Sequence, residues 1–488
     1  MPSGPELPDA VDRPRIGVDE WVAQAEGRRE RGRGPGALFS RGWGATPPSV
    51  QLLLFVAFAG TLPLWLNEGD LFSYGLYTLL YAVLALGLNI VVGFAGLLDL
   101  GYIAFYGVGA YSYALLSSNH YGIHWQAEAS LPVVVAGTAL VGLALGFTSR
   151  RLLGDYLAIV TLFFGQAFVA FTNNANPHVA GKGLTGGSNG IPGVDPINLF
   201  GYQLHSTKQY LYLLLVVFAL AATGLFFLNQ SRTGRAWRAL REDPLAAETM
   251  SMPVNRLKLM AFAFGAGTAG LSGAIFAAIQ TGTVPGNFDI SLLITIYAIV
   301  ILGGLGSIAG VVVGAIVINV SFQFLAPSND HPELKRWLFY AAILILVAKI
   351  KPWTRAAFVL AGTAAFGIAV HAILSAVASS WTAGSAVDAG SMSHQIADWV
   401  IIPSGGHGNF DTLVYIALVA AIVALSQLRG WWRATGLIPT LYLVAVVWEN
   451  VLVQQPAVTR LILFGALLIA LMQARPQGLL GTARVEIV

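Results

Sequence analysis

Between residues 49 and 488 only 37 of 440 side chains are Asp, Glu, Lys or Arg, and the apolar runs between them reach bilayer length. In hydrocarbon the backbone has no water to bond, so such runs must form helices or a closed barrel. A helix crosses with ~20 predominantly apolar residues. Candidate spans centre on 50–66, 71–92, 101–117, 131–148, 156–173, 209–229, 257–280, 290–303, 308–325, 336–349, 356–381, 412–428, 436–453 and 460–474. Several are short enough to be tilted, re-entrant or half-spans. The expected fold is therefore an all-α polytopic membrane protein with roughly 11–14 transmembrane or partly embedded helices. Soluble domains carry roughly 25% charged residues. This chain has 10%, which excludes a soluble enzyme with a large core. It has no Cys, which excludes disulfides, thiolate catalysis and Cys-based zinc sites.

Charge placement orients the spans. With the N-terminus inside, 22 Lys and Arg fall in inner segments and five outside, at Lys182, Lys208, Lys335, Arg336 and Arg460. The asymmetry places both termini in the cytoplasm. Residues 1–48 hold seven Arg and seven acidic residues among many Gly and Pro, the composition of a flexible tail. They are too long and polar for the start of a cleaved signal. The cluster at Arg28, Arg29, Arg31 and Arg33 either touches anionic lipid or belongs to a solvated tail.

The C-terminal half repeats itself. Gly286-Asn287-Phe288-Asp289 recurs as Gly408-Asn409-Phe410-Asp411, and Pro332, Arg336 and Pro352 recur as Pro456, Arg460 and Pro476. Each copy starts outside, contains three candidate spans and ends inside. The span at 356–381 returns the chain to the outside, so the expected relation is a parallel tandem duplication. The chain divides into a tail at 1–48, a core at 49–352, an extra membrane segment at 353–454 and a last helix with a cytoplasmic C-terminus at 455–488.

Four segments carry functional expectations. In 231–250, Arg235, Arg238 and Arg241 recur at helical spacing, and Pro244 breaks the pattern. This predicts a short amphipathic helix, a break, and a further turn or two on the cytoplasmic surface. A loop needed only for topology would not require about 25 patterned residues, because connections are usually short. Docking of a cytoplasmic partner is the expected role of Arg235, Arg238, Arg241, Glu242, Asp243, Pro244 and Glu248. Glycine clusters interrupt apolar runs at 93–101 and 303–310. Such breaks point to discontinuous helices along a transport path, here Asn89, Gly93, Gly96, Asp99, Gly101, Gly303, Gly304 and Gly306. The alternatives are close helix packing for the glycines and helix capping for Asp99. The outer loop 174–208 contains Gly181-Lys182-Gly183, which lacks the Gly-Lys-Ser/Thr of a phosphate-binding loop. It is expected instead to receive an extracellular partner through Thr185, Gly186, Gly187, Ser188 and Asn189. Polar residues within spans are few, and Glu449 is placed near an outer end within reach of water. No HExxH, paired-carboxylate or Ser/His/Asp pattern supports an enzyme, and no metal site is expected.

The run from Gly87-Leu88-Asn89-Ile90-Val91-Val92-Gly93-Phe94-Ala95-Gly96 to Gly107-Val108-Gly109-Ala110-Tyr111 resembles LivM-type permeases, membrane subunits of ABC importers for branched-chain amino acids. Gly154-Asp155-Tyr156-Leu157-Ala158, Thr185-Gly186-Gly187-Ser188-Asn189-Gly190-Ile191, the segments 231–250 and 302–307, and Arg475-Pro476-Gln477-Gly478-Leu479-Leu480-Gly481 fit the same family in order. The resemblance covers 50–350 and 455–481, which makes 49–352 the LivM-like core. Residues 353–454 depart from the family. The resemblance implies a multi-pass protein of the bacterial inner membrane. Its partners would be a LivH-type second permease, two ATPase subunits and an extracytoplasmic solute-binding protein, with no nucleic acid. ATP would bind to the ATPases, so the chain itself needs no cofactor, and 235–250 would correspond to the coupling region. Leucine, isoleucine or valine is the implied cargo, with urea or short amides as the alternative. A secondary transporter is the rival class, and it usually buries ionisable residues to couple ions. Asp99 is nearly the only candidate for that role.

Overall fold

The computed structural model describes residues 48–324 except 150, 151, 153, 175, 176, 180 and 181. It also describes 352–452 except 378, 385–394, 397, 405–407 and 429, with single positions between 337 and 348, then 465 and 478–480. The tail at 1–47 and most of the candidate spans at 336–349 and 460–474 lie outside the described residues. Among the described residues, seven helices are long and apolar enough to cross a membrane and three more are apolar but shorter. The only strands there are two-residue pairs. The protein is an all-α polytopic membrane protein.

The described residues divide into two units between Trp65 and Leu66. In the first, α1 (Pro48–Trp65) is an apolar helix with Pro63 near its end. The second opens with α2 (Glu68–Phe94), followed by α3 (Tyr102–Leu116), α4 (Ala127–Ser149), α5 (Asp155–Asn174) and α6 (Thr207–Gln230). Two short helices, α7 (Arg232–Glu242) and α8 (Pro244–Thr249), lead to α9 (Val254–Ile279). Then come α10 (Ile290–Gly303) and α11 (Ile308–Phe324).

The centre belongs to α2 and α9, buried over 83% and 72% of their most apolar stretches, whereas α4 and α5 bury only 22% and 28% of theirs. Lipid tails offer no hydrophobic gain to helix association, so close backbone packing must supply it. Small residues along α9 allow this. A Cβ on Gly109 of α3 would strike the Gly270 backbone, and one on Gly270 would strike Thr138 of α4. The helix α2 contains π-helical turns at Leu71–Leu76 and Asn89–Phe94. In the first, the Asn319 amide of α11 donates to Ser73 O at 2.9 Å and Thr78 Oγ1 at 2.8 Å.

Contacts on the outer side knit the connections together. Ile191–Pro192 pairs with Gly282–Thr283, Ser118 bridges Val194, and His124 bonds Asp195. Phe288, from the first copy of the repeated motif, is a buried plug against Tyr106, Tyr111, Phe168 and Phe276 at ring distances of 5.7, 5.9, 6.0 and 6.4 Å. Asp289 next to it caps α10. In the second copy Phe410 meets Trp381 edge-on at 5.4 Å, and the helix there already begins at Gly408.

The segment beyond 352 contributes α12 (Trp353–Val377), α13 (Gly408–Gln427) and α14 (Trp431–Val447). They pack on one another. One cluster joins Val347, Ala356, Val359 and Ala434, while Ile368, Ile373, Leu413 and Ile416 stay exposed, as lipid-facing side chains would. Glu449 corrects the expectation that it reaches water. It is 2% exposed and accepts a bond from the Tyr340 hydroxyl at 3.3 Å, because a π turn at Trp448–Leu452 carries it inward.

Candidate functional site

The amphipathic helix read from the sequence is present as α7, and its cause is visible at both ends. Ser231 caps it, with Oγ accepting from Gly234 N at 3.2 Å. Asp243 ends it and caps α8, accepting from Leu245 N at 2.8 Å and Ala246 N at 3.1 Å, with Pro244 at the first helical position where its missing N–H costs nothing. Gly234, Trp237 and Leu240 form the buried stripe. Trp237 is 0% exposed and its indole N–H donates to Leu257 O of α9 at 2.9 Å. Arg235, Arg238, Glu242, Asp243 and Glu248 are exposed and Pro244 is half-buried, so the outer surface carries both signs of charge.

The arginines also face the ends of membrane helices. Arg235 donates to Gln230 O at 2.8 Å and Arg238 to Asn229 O at 3.3 Å, both at the C-terminus of α6. Carbonyls there lack intrahelical partners and carry the negative end of the dipole. Arg241 differs. It is half-buried, and its guanidinium donates to Gly93 O at the end of α2.

That carbonyl lies in the first glycine break. Gly96 follows with φ +70°, and a Cβ on it would lie 2.7 Å from Arg241 Cγ and 2.9 Å from Arg241 Cα. The chain backbones touch here, and only glycine permits it. The second break lies alongside. Asn89 Oδ1 accepts from Gly306 N at 2.8 Å, and a Cβ on Gly306 would lie 3.0 Å from Arg241 Nη1. Gly303 packs so tightly on Gly310 that neither has room for a Cβ. The C-terminal segment closes the junction. Leu479 N donates to Leu302 O at 2.8 Å and Leu480 N to Gly303 O at 2.9 Å, with Gly478 against Gly304. The end carbonyls of α10 are thus capped from 177 positions away in the sequence, for Leu302 by Leu479 and for Gly303 by Leu480.

Of the expected path residues, Gly93, Gly96 and Gly306 meet Arg241, Asn89 joins them through Gly306, and Gly303 and Gly304 pack instead against Gly310 and Gly478. Asp99 and Gly101 sit apart, against α5 and α10. The Asp99 carboxylate is buried and accepts from Gly101 N at 3.0 Å, the turn that opens α3. Its backbone is held by Tyr297, whose hydroxyl donates to Asp99 O at 2.6 Å, while Leu100 N donates to Thr161 Oγ1 at 2.9 Å. This is an Asx turn just ahead of α3, whose own N-cap, Gly101, has no side-chain cap bond. In the outer loop, Thr185 is buried and donates to Thr172 O at 3.0 Å, Gly186 and Gly187 turn the chain with φ of 71° and 64°, and Ser188 and Asn189 are exposed. Sequence reasoning passed over Trp237, Tyr297, Thr161 and the seat of the tail. Only Trp237 carried a signal, since Gly234, Trp237 and Leu240 share the spacing of the arginines. Among the described residues no group of His, Asp and Glu gathers as a metal site.

The tail contact has a measurable consequence. Truncation after Gln477 removes both donors to α10 and leaves buried carbonyls unpaired, which costs about 1–3 kcal/mol for each such group. The expected result is a lower thermal unfolding midpoint for the detergent-solubilised protein. A midpoint equal to that of the full chain excludes a stabilising role for the contact.

Membrane helices broken at glycines on one side, and a surface helix bonded to one break and packed beside the other, define a multi-pass transport permease. The chain belongs to the family described as the permease component of branched-chain amino acid transport systems, which matches residues 71–348. It is 36% identical over 308 residues to the high-affinity branched-chain amino acid transport system permease protein LivM of Escherichia coli K12, covering 58% of this chain and 70% of that protein. It is 25% identical over 287 residues to the LivH permease of Salmonella typhimurium LT2, covering 56% of this chain and 89% of that one. No solved structure matches.

Proposed function

We propose that the chain is one permease subunit of an ABC importer in the bacterial inner membrane, carrying branched-chain amino acids into the cytoplasm. A LivH-type permease pairs with it. Two ATPase subunits bind ATP and receive α7 and α8, and an extracytoplasmic binding protein delivers the cargo to the outer loop around Ser188 and Asn189. The observation that carries this reading is the seat of α7. It is anchored by Trp237, exposes Arg235, Arg238, Glu242, Asp243 and Glu248, and reaches the membrane helices through Arg241. A surface element with an exposed charged face and an inner link to helix breaks suits a lever driven by another polypeptide. The relatives named for branched-chain amino acid transport support the cargo. The dearth of ionisable residues in the spans disfavours ion coupling.

The test is purification of the tagged chain from its own membrane, followed by reconstitution. ATPase subunits are expected to accompany it, and vesicles holding the complex, supplied with the leucine-loaded binding protein on the outer-loop side, should accumulate leucine only with ATP on the ATPase side. Accumulation of leucine by the isolated chain on an ion gradient would overturn the proposal.

A further inference from the structure

We propose that Arg241 is a positioning residue that makes α7 and the two glycine breaks move as one body, so that a stroke on α7 shifts the inner ends of α2 and α10 together. This inference rests on the reading of α7 as the element that receives the ATPase stroke.

Four observations converge on this side chain. Its guanidinium bonds Gly93 O, a carbonyl at the end of the π turn. The neighbouring amides Ala95 N and Leu97 N are taken by Ile90 O and Val91 O, so the helix end spends them elsewhere. Its backbone rests on Gly96, where a Cβ would lie 2.9 Å from Arg241 Cα. Its Nη1 lies beside Gly306, which is tied to α2 through Asn89. Backbone contact on one flank and a charge-assisted bond on the other leave little freedom for α7 to slide over the break. Such bonds are roughly twice as strong as neutral ones. Among the described residues, Arg235 and Arg238 by contrast bond α6, the helix that leads directly into α7, and they remain exposed. The three arginines share a spacing, yet only Arg241 joins segments 148 positions apart.

The experiment uses the whole reconstituted importer and compares Arg241→Ala, Arg241→Lys and, as an exposed arginine outside α7 and α8, Arg256→Ala. Three quantities are read: ATPase subunits retained, ATP hydrolysed, and leucine carried per ATP. Coupling between sites spans roughly 5- to 150-fold. For Arg241→Ala the partners are expected to stay bound, with leucine per ATP down about tenfold and hydrolysis falling far less. Arg241→Lys, which keeps the positive charge, should recover part of the ratio, and Arg256→Ala should not lower it. Leucine per ATP at the wild-type value in Arg241→Ala overturns the inference, and so does loss of the ATPase subunits, which would make the residue a docking contact. A second measurement is independent of the folding of the Arg241 variants. Spin labels at Leu98→Cys and Glu242→Cys, both exposed positions, report the distance from α7 to the break. It should stay constant between nucleotide-free and vanadate-trapped complexes, and a change overturns the inference. Absence of ATP-driven uptake by the wild-type complex is a separate outcome, which removes the importer reading itself.

Discussion

Gly96→Ala should be among the most damaging single-methyl changes in the protein. Gly96 has φ +70°, and the added Cβ would lie 2.7 to 2.9 Å from three atoms of Arg241, one of them its Cα. An L-residue in the left-handed region costs roughly 1–2 kcal/mol, and overpacking adds about 1–3 kcal/mol. A backbone atom cannot rotate away, so relief requires α7 to lift off the break. The expected loss is about 2–5 kcal/mol from these two terms, read as a lower unfolding midpoint in detergent, together with loss of leucine uptake. Gly154→Ala is the control. Gly154 has φ +53° but open space around its Cβ position, so it incurs the backbone term alone. Equal destabilisation by the two substitutions would show that the contact with Arg241 is not tight.

Trp237→Ala should release α7 from the membrane domain. The side chain is fully buried, donates to Leu257 O at 2.9 Å and meets Phe264 edge-on at 6.3 Å. Truncating a buried Trp costs about 3–5 kcal/mol, and a helix of 11 residues is marginal without its packed face. The expected result is rapid tryptic cleavage at the arginines of α7 while the membrane helices stay protected. Trp237→Phe keeps most of the buried area and loses one hydrogen bond, about 1 kcal/mol, so its cleavage should stay near the wild-type rate. Wild-type protection in Trp237→Ala would mean that the arginine bonds to α6 and α2 hold α7 alone.

Much of α7 was legible beforehand. The spacing of Arg235, Arg238 and Arg241 predicts a helix and Pro244 predicts its break, while the Ser231 cap emerged only from the structure. The same periodicity places three arginines on one face but says nothing of their acceptors. Arg235 and Arg238 found theirs a few residues away, and Arg241 found its own in α2. The outer loop shows a similar divide. Its glycines announce a tight turn, yet whether Thr185 faces a partner or its own scaffold depends on Thr172 lying beneath it. Asp99 reads as a membrane charge and sits in an Asx turn ahead of α3, because Gly101 N comes within 3.0 Å of its Oδ1. The π turns of α2 left no mark in the hydrophobic pattern. They depend on amide side chains, Asn319 and Asn89, that bond across helices.

Membrane spanning and sidedness are written in the linear order of residues, because the cost of moving a residue between water and lipid is set almost entirely by that residue and its near neighbours. The union of the two breaks with α7 and the tail is not written there. In a bilayer every helix-end carbonyl must find a donor, and Gly93 and Gly303 found theirs in Arg241 and Leu480, which only the packing of α2, α7 and α10 brings within reach.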